Sequence, residues 1–337
     1  MPQITILGAG SWGTALAVHL GRVGHEVRLW ARDPALAAEL TSRRANAVYL
    51  PDVAFPSNVS VTHVLSDAVR DTGLVVAAIP SHGCRAVIRS AAHHIKPRAV
   101  LVSATKGLEE GTMLRMSEVI AQEIGAAHPV VVLSGPSFAI EVAQQLPTAI
   151  VAASAHAEAT ELVQDEFRGP YFRLYASDDV IGVEIGGALK NIIAIAAGVV
   201  EGLGLGHNAL AALITRGLAE VSRLARAAGA RQETLAGLSG LGDLVLTCTG
   251  SLSRNRHVGV ELARGRRLAD ILAGMKMVAE GVPTTTAALA LGAQYGVELP
   301  IATQMAEVLA GRSDVRSAVG ALMLRPQRTE NETGTRT

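Results

Sequence analysis

The stretch ITILGAGSWGTALAVHL, residues 4–20, places an apolar run, a glycine-rich turn and a helical pattern in direct succession. It predicts a strand at Ile4–Leu7 and a helix at Thr14–Leu20, joined by a Gly-x-Gly-x-x-Gly turn at Gly8, Gly10 and Gly13. In such a turn the first glycine permits the bend, the second lets a pyrophosphate approach the backbone, and the third permits close packing of the helix. Because the helix N-terminus then faces the phosphates, the stretch predicts a dinucleotide-binding unit.

The remainder of the first half repeats this alternation of apolar runs and helical patterns. Further strands are predicted at Glu26–Trp30, Leu74–Ile79, Val100–Ser103, Val130–Leu133 and Ala149–Ala153, with amphipathic helices at Ala35–Arg44, Arg85–His94, Leu114–Ile124 and Glu158–Phe167. Strands that alternate with helices indicate an α/β fold with a doubly wound parallel sheet of the Rossmann type. Residues 45–60, which contain Pro51 and Pro56, are predicted to form a long connection.

Strand patterns stop after about Ser177, and the second half is predicted to be all-helical. Its helical patterns are His207–Ala228, Arg256–Arg264, Leu268–Ala273 and Pro283–Gly292. We therefore predict a dinucleotide-binding domain over residues 1–180 and an all-helical second domain over residues 181–325. Residues 326–337 are polar and are predicted to be a disordered tail.

Composition and charge limit the class of protein. The chain has 30 basic and 30 acidic residues and no basic stripe, which argues against nucleic acid as a partner. Its two cysteines, Cys84 and Cys248, lie far apart, which favours a reducing, cytoplasmic compartment over a disulfide framework. No signal peptide is expected. The apolar stretch Ile181–Leu205 carries several charged and amide residues, so we predict a core helix there and no membrane span.

Only four of the thirty basic residues are lysines, and two of these occupy unusual places. Lys106 follows a predicted strand in the turn Ser103–Gly107, and Lys190 interrupts the apolar run Ile185–Ile195. A desolvated lysine can release its proton, whereas arginine stays charged. The placement indicates groups that exchange protons. The alternative is that Lys190 reaches the surface with its terminal amine, as we expect for Lys96 and Lys276.

A basic residue, Arg32, and an acidic residue, Asp33, follow the second predicted strand, where the adenosine ribose of a dinucleotide is expected. A carboxylate there favours NAD, and an arginine accommodates the 2′-phosphate of NADP. Asp33 is equally explained as a helix N-cap, because Pro34 suits the first helical position. Arg32 is then free to meet a 2′-phosphate, so we predict that NADPH is accepted at least as well as NADH.

Two later loops offer polar groups with competing explanations. After the strand Val130–Leu133, Gly135 would allow a ligand to approach and Ser137 would donate to it, but Ser137 as a helix cap is the favoured interpretation. In the second half, Ser253, Arg254 and Asn255 suit either a helix N-terminus or a phosphate-binding site, and again the cap is favoured. Asp243, in a glycine-rich segment, is more typical of a turn than of a catalyst.

The sequence carries no pattern typical of a metal site or of a hydrolytic nucleophile. The ten histidines form no HExxH pattern or metal-ligand cluster. The segment Gly237–Leu241 fails the Gly-x-Ser-x-Gly nucleophile pattern at its last position. We therefore expect neither a metal site nor a hydrolytic triad.

Taken together, these segments resemble NAD(P)-dependent sn-glycerol-3-phosphate dehydrogenase of the bacterial, soluble type. The similar pieces are GAGSWGTALA from Gly8, ATKGLE from Ala104, SGPSFAIE from Ser134, GGALKNIIAIAAG from Gly186, NALAALITRGLAE from Asn208, GLSGLGDLVLTCT from Gly237, SRNR from Ser253 and VAEGV from Val278. They span about residues 4 to 310. The resemblance implies reduction of dihydroxyacetone phosphate to sn-glycerol 3-phosphate, a precursor of phospholipids, with NADP(H) or NAD(H).

The resemblance also assigns roles to individual residues. It implies that the cofactor is lined by Gly8, Gly10, Ser11, Trp12, Gly13, Arg32, Lys106, Ala139, Arg254, Val278 and Glu280. It implies that the substrate is held by Lys106, Gly135, Ser137, Lys190, Asp243, Ser253, Arg254 and Asn255. Lys190 would be the catalytic proton donor and acceptor.

Two alternatives remain from the sequence. One is a related two-domain dehydrogenase that acts on a 3-hydroxy acid or a sugar acid, and the other is a dinucleotide-sensing protein without turnover. The second alternative gives no reason for a lysine inside an apolar helix. A homodimer is compatible with the apolar helical half.

Overall fold

The structure is a computed structural model that describes residues 3–125, 127–327 and 329–330. Its strands are β1 (Ile4–Leu7), β2 (Val27–Trp30), β3 (Ala45–Asn46), β4 (Leu50–Ala54), β5 (Val59–Thr62), β6 (Leu74–Ala77), β7 (Val100–Ser103), β8 (Val130–Ser134), β9 (Thr148–Ala153) and β10 (Phe172–Ser177). Eight of the strands in this described part form one sheet, in the order β10-β9-β8-β7-β6-β1-β2-β5. The central strands are parallel and mostly buried on both faces, as expected where helices cover both sides. The predicted Rossmann-type α/β fold is confirmed.

Helices separate these strands in the first half of the chain. They are α1 (Ser11–Arg22), α2 (Pro34–Arg43), α3 (Leu65–Val69), α4 (Ser81–Ala92), α5 (Met116–Ile124), α6 (Ala139–Ala143) and α7 (Ala157–Phe167). Apart from the short α3, which was not predicted, they coincide to within a few residues with helices that the sequence predicted, including the short helix after Ser137.

The last two strands of the sheet run against the others, contrary to the predicted parallel arrangement. β9 pairs with β8 in antiparallel fashion, and β10 pairs with β9 in parallel fashion. The helix between β8 and β9 has only five residues, so it spans about 8 Å. The five residues of β8 span about 16 Å. This helix is therefore too short to carry the chain back along the sheet, and β9 begins at the edge where β8 ends.

The predicted connection at residues 45–60 contains regular structure. It forms the antiparallel hairpin of β3 and β4 and then enters β5, which pairs with β2. Two prolines and a two-residue strand conceal this pattern in the sequence. β10 was also missed, since it is an edge strand that alternates buried Phe172 and Leu174 with exposed Arg173 and Tyr175.

The second half is helical, as predicted. Its helices are α8 (Val180–Gly202), α9 (Gly206–Ala227), α10 (Gln232–Ala236), α11 (Asp243–Thr249), α12 (Arg254–Ala263), α13 (Leu268–Ala273), α14 (Gly281–Tyr295), α15 (Pro300–Leu309) and α16 (Val315–Met323). A π-helical turn, Leu238–Gly242, leads directly into α11. The domain boundary near residue 180 stays a prediction, at the point where β10 ends and α8 begins. The predicted tail lies outside the described residues at positions 328 and 331–337.

Helix α8 forms the axis of the helical half. Among the described residues it is the one helix that is long and apolar enough to cross a membrane, yet 89% of its most apolar window is buried inside the structure. Helix α12 approaches it closely at two glycines. A Cβ on Gly198 would lie 1.9 Å from the Arg256 carbonyl oxygen, and one on Gly259 would lie 1.9 Å from the Ile195 carbonyl oxygen. The two backbones therefore touch at a place that no larger residue fits.

Both cysteines are free thiols in the core. Cys84 lies on α4 and is 0% exposed, and Cys248 lies on α11 and is 1% exposed. Burial away from water raises the pKa of each thiol to about 12, because the charged thiolate is poorly solvated there.

Candidate active site

The candidate site lies where the carboxyl ends of the central strands meet the first helix of the helical half. The loop after β1 carries the glycine-rich turn, the loop after β7 carries Lys106, and the loop after β8 carries Gly135. Carboxyl ends of parallel strands are the usual ligand-binding edge of such sheets. Helix α8 crosses this edge and brings Lys190 to it.

Asp243 joins the two lysines that the sequence singled out. Lys106 Nζ donates to Asp243 Oδ2 at 2.5 Å and to the Gly135 carbonyl oxygen at 3.1 Å. Lys190 Nζ donates to Asp243 Oδ1 and, at 2.6 Å, to Thr247 Oγ1. Thr247 Oγ1 in turn donates to the Asp243 carbonyl oxygen at 2.6 Å. One carboxylate thus holds two ammonium groups near each other.

Burial sets the protonation of Lys190. The side chain is 8% exposed, so it does not reach the surface as the alternative interpretation required. Desolvation lowers its pKa to about 7, with a further contribution from the positive charge of Lys106, while Asp243 opposes the shift. Both protonation states are therefore accessible near neutral pH.

Asp243 is not the turn residue that its glycine-rich context favoured. It is 1% exposed and begins α11 directly after the π-helical turn. Such π-helical segments are frequent at functional sites. Thr247, one helical turn later, was not predicted as a site residue, although a spacing of four places it on the same helix face.

The N-terminus of α12 combines a cap with a cross-helix contact. Ser253 is the predicted N-cap, and its hydroxyl accepts from the Arg256 N–H at 3.2 Å. Asn255 is 7% exposed. It donates to Asn191 Oδ1 at 2.9 Å and accepts from the Gly281 N–H at 2.9 Å. Asn191, the neighbour of Lys190, was not singled out in the sequence. Arg254 is exposed, and its guanidinium has no hydrogen bond within the described part of the chain.

Ser137 does not cap α6, contrary to the favoured interpretation. The cap position is Phe138, which makes no side-chain cap bond, and the Ser137 hydroxyl donates to the Gly135 carbonyl oxygen at 3.0 Å. Gly135 has a φ of +145°, and a Cβ there would lie 2.9 Å from the Ile150 Cα. The loop after β8 therefore requires glycine. Ala139 is the first residue of α6.

The glycine-rich turn has the geometry that a pyrophosphate needs. Gly8 adopts a φ of +115°, and a Cβ on Gly13 would lie 1.9 Å from the Gly8 carbonyl oxygen. By contrast, the space beside Gly10 is open, with no atom within 4 Å of an added Cβ. Helix α1 has no side-chain cap, so its first N–H groups are free for an anion. These residues fit a dinucleotide.

Ser11 and Glu280, two other predicted cofactor residues, connect this edge of the sheet to distant segments of the chain. Ser11 Oγ donates to the Tyr49 carbonyl oxygen at 2.6 Å and contacts Met277 Sδ at 2.9 Å. Glu280 accepts from the Ser81 N–H at 3.1 Å and from the Ser81 hydroxyl at 2.6 Å. The segment between α13 and α14, which includes the exposed Val278, therefore reaches from the helical half to the dinucleotide edge. Trp12 is half-buried on α1.

Asp33 caps α2, as predicted. The Asp33 side chain accepts from the Ala35 N–H at 2.9 Å, with Pro34 at the first position of α2. Its carboxylate is therefore used as a helix cap. Arg32 is exposed and has no hydrogen-bonded partner in the described structure. Within the same described residues, no group of three or more His, Cys, Asp or Glu side chains has the arrangement of a metal site.

Comparison with known proteins decides the family. Models of the NAD-dependent glycerol-3-phosphate dehydrogenase N-terminus and C-terminus match residues 3–160 and 179–320. The chain belongs to this family. It is therefore an oxidoreductase of the glycerol-3-phosphate dehydrogenase type that uses NAD or NADP, and this family is supported over the alternative hydroxy-acid dehydrogenases and a non-catalytic sensor.

Individual relatives agree with the family assignment. The chain is 54% identical to glycerol-3-phosphate dehydrogenase (NAD(P)+) from Koribacter versatilis over 80% of this chain and 81% of that protein. It is 53% identical to the enzyme of the same name from Thioalkalivibrio sulfidiphilus over 79% and 80%. The crystal structure of the Coxiella burnetii glycerol-3-phosphate dehydrogenase is 41% identical, with a TM-score of 0.93 over 96% of this chain and 99% of that one.

Proposed function

We propose that this dehydrogenase reversibly reduces dihydroxyacetone phosphate to sn-glycerol 3-phosphate, and that Lys190 exchanges the proton with the substrate oxygen. The observation that carries the proposal is a buried lysine whose pKa is lowered to about 7 at the dinucleotide edge of the sheet. The nicotinamide supplies the hydride when bound. The product is the backbone of glycerophospholipids.

The hydrogen bonds of Lys190 support a role as proton donor. An ammonium has three N–H groups, and Asp243 and Thr247 accept two of them. The remaining N–H is available to a carbonyl oxygen. Donation along it would stabilise the negative charge that develops on that oxygen and then transfer the proton. In the reverse direction, the neutral amine would accept the proton of the alcohol.

Lys106 would orient the substrate and strengthen the positive field. It is 21% exposed and is fixed by Asp243 and the Gly135 carbonyl. A fixed cation beside the reacting carbonyl lowers the energy of the developing oxyanion without moving during the reaction. Gly135 would let the substrate approach the loop after β8, and Ser137 would donate to it.

The N-terminus of α12 would bind the substrate phosphate. Ser253 and Asn255 are held in place by the α12 cap and by α8 and α14, and Arg254 is exposed beside them. A guanidinium at a helix N-terminus suits a phosphate dianion. Asp243 would act with the two lysines rather than touch the phosphate.

The remaining predicted residues would hold the cofactor. The turn and α1 would bind the pyrophosphate through Gly8, Gly10, Ser11, Trp12 and Gly13. The other contacts would come from Arg32, Lys106, Ala139, Arg254, Val278 and Glu280.

Replacement of Lys190 tests the proposal. Lys190→Ala and Lys190→Arg should each lower kcat by about 100-fold or more, because general acid catalysis contributes about 10²–10⁴-fold. Both variants should bind NADPH with nearly the affinity of the unmodified protein, as measured by titration of nucleotide fluorescence. Arginine supplies charge without a transferable proton. Near-normal turnover in Lys190→Arg would show that charge alone suffices and that the proton role is wrong.

We also propose that the protein acts in the cytoplasm as a homodimer. Two free, buried thiols are compatible with a reducing compartment. The helical half also carries exposed apolar side chains, among them Leu241, Val245 and Leu252, which a second copy would cover. Light scattering of the purified protein would give the mass in solution, and a monomeric mass at micromolar concentration would contradict the dimer.

A further inference from the structure

The hairpin of β3 and β4, which the sequence did not predict, carries a buried amide that faces the dinucleotide turn. Asn46 is 0% exposed. Its Nδ2 donates to the Ala9 carbonyl oxygen at 3.0 Å and to Thr14 Oγ1 at 2.8 Å. Its Oδ1 accepts from the Tyr49 N–H at 3.1 Å. Both amide hydrogens and the amide oxygen are therefore engaged.

These bonds hold the glycine-rich turn near its beginning, at Ala9, and just after its end, at Thr14. Ala9 lies between the first two glycines, and Thr14 lies in the first turn of α1. In a trans peptide the carbonyl and the following N–H point in opposite directions. With the Ala9 carbonyl held by Asn46, the Gly10 N–H must point away from the hairpin. The same amide thus fixes the orientation of a peptide that flanks the open space beside Gly10.

The hairpin adds a second contact to the turn. Tyr49, whose N–H is held by Asn46, accepts from the Ser11 hydroxyl through its carbonyl oxygen at 2.6 Å. Ala9, Ser11 and Thr14 are therefore all bound to one hairpin. A turn whose first glycine has a φ of +115° is flexible in isolation because glycine has the largest conformational freedom. An external support is needed to keep its N–H groups convergent.

We infer that Asn46 is a positioning residue for the dinucleotide. It holds residues 8–14 in the conformation that meets the pyrophosphate, and it does not touch the cofactor itself. The inference rests on the proposed role of the glycine-rich turn. Because the support is made before the cofactor arrives, it lowers the entropy that binding would otherwise lose. It acts on NAD(H) and NADP(H) alike, since both share the pyrophosphate.

Asn58 provides a matched control at the opposite end of the same helix. Its Nδ2 donates to the Gly21 carbonyl oxygen at 2.8 Å and to the His25 carbonyl oxygen at 2.7 Å. Asn58 therefore also makes two side-chain bonds that anchor α1, yet it lies away from the glycine-rich turn. Loss of the Nδ2 donor from either residue therefore removes two hydrogen bonds from the fold.

The experiment compares Asn46→Asp with Asn58→Asp. Aspartate keeps the shape but replaces the Nδ2 donor by an oxygen that faces a carbonyl oxygen. Both variants should lower the Tm of the cofactor-free protein. Only Asn46→Asp should raise the Kd of NADPH and of NADH, each by about tenfold or more, the effect of one lost hydrogen bond or more. The substrate KM and kcat at saturating cofactor should stay within about twofold of the unmodified protein.

A second variant covers the case in which Asn46→Asp does not fold. If Asn46→Asp does not fold, Thr14→Val removes one acceptor with little change of shape and should raise both Kd values about threefold. An unchanged Kd in Asn46→Asp, or in Thr14→Val when the former does not fold, would overturn the inference. An equal loss of affinity in Asn58→Asp would do the same, because it would show a general effect of stability. Failure of the unmodified protein to bind NADPH would instead contradict the dinucleotide site itself.

Discussion

At the scale of single residues, the site depends on one carboxylate that serves two lysines of different character. Lys190 is buried, and Lys106 is partly exposed. A shared partner keeps both amines close despite their repulsion, and that repulsion helps to lower the pKa of Lys190. An arginine at position 190 would satisfy Asp243 but would not respond to pH in the physiological range.

The pH dependence of catalysis follows from the sign of this shift. Reduction requires protonated Lys190, so its kcat/KM should fall as pH rises through about 7. Oxidation requires the neutral amine, so its kcat/KM should rise over the same interval. Steady-state rates in both directions from pH 5.5 to 9 would measure this. Parallel profiles in the two directions would contradict a proton exchanged by Lys190.

Arg32 should determine how well NADPH is used. It is exposed beside α2, while the neighbouring Asp33 is occupied as the α2 cap. Arg32→Ala should lower kcat/KM for NADPH by about 10–100-fold, the effect of losing a charge-assisted hydrogen bond, and should leave the value for NADH nearly unchanged. Equal NADPH kinetics in the unmodified protein and in Arg32→Ala would contradict the claim that Arg32 meets the 2′-phosphate.

Features that depend on neighbouring residues could be predicted from the sequence, whereas contacts between residues far apart in the chain could not. The caps at Asp33 and Ser253 were predicted because a cap depends on residues within one helical turn. The Lys190–Asp243 pair joins residues 53 positions apart, so no local rule reports it. The prediction that Ser137 caps α6 was wrong for a related reason. The loop around Gly135 brings the Ser137 hydroxyl to the Gly135 carbonyl oxygen instead.

At the scale of elements, the contact between α8 and α12 holds the substrate half of the site together. Asn191 on α8 and Asn255 on α12 are hydrogen-bonded at 2.9 Å. Further along the same pair of helices, Gly198 and Gly259 bring the backbones together. The position of the α12 N-terminus relative to Lys190 is therefore set by how closely these helices approach.

Replacement of Gly198 tests that contact. In Gly198→Ala the new Cβ would meet the Arg256 carbonyl oxygen at 1.9 Å, so the helices must separate. We expect a loss of about 3 kcal/mol in the free energy of unfolding and a higher substrate KM. Gly320→Ala on α16 is the control, because an added Cβ there meets no atom within 4 Å. That variant should be neutral or more stable in urea unfolding. Equal stability of the two variants would contradict the close contact.

The elements that the sequence revealed are those with strong periodicity. The central strands are apolar on both faces, and the long helices repeat their apolar residues every three to four positions, so both were predicted. The β3–β4 hairpin and β5 are short, with Pro51 inside β4 and Pro56 between β4 and β5. The direction of β9 depends on the length of α6 relative to that of β8, and no local pattern reports a comparison between two elements.

At the scale of the whole molecule, a buried carboxylate couples stability to pH. Glu220 on α9 is 2% exposed and accepts from the N–H groups of Ile301 and Ala302 at 2.9 and 3.0 Å. Desolvation raises its pKa to about 7, although these bonds and the charges of Arg223 and Arg325 oppose the shift. The native state therefore holds a proton that the unfolded chain releases at lower pH.

The consequence for unfolding has a definite sign. The contribution of Glu220 is fully present below its ordinary pKa of 4.5 and is lost as pH rises through about 7. The shift corresponds to about 3 kcal/mol. Urea unfolding from pH 5 to 7 should show a decline that Glu220→Gln lacks, whatever the absolute stability of that variant. Replacing the exposed Glu233 with Gln should leave the decline intact, and an unchanged profile in Glu220→Gln would refute the assignment.

The buried thiols have a practical consequence for studying this enzyme. Thiol reagents attack the thiolate, and pKa values of about 12 leave almost none at neutral pH. In the folded chain the two native cysteines should therefore not react with a thiol dye, so they need not be removed before site-directed labelling. A dye pair on introduced surface cysteines, one in each half of the chain, would report the distance between the halves as nucleotide is added. Over hours, the rates at which Cys84 and Cys248 react would measure how often the core opens, Cys84 for the first half and Cys248 for the helical half.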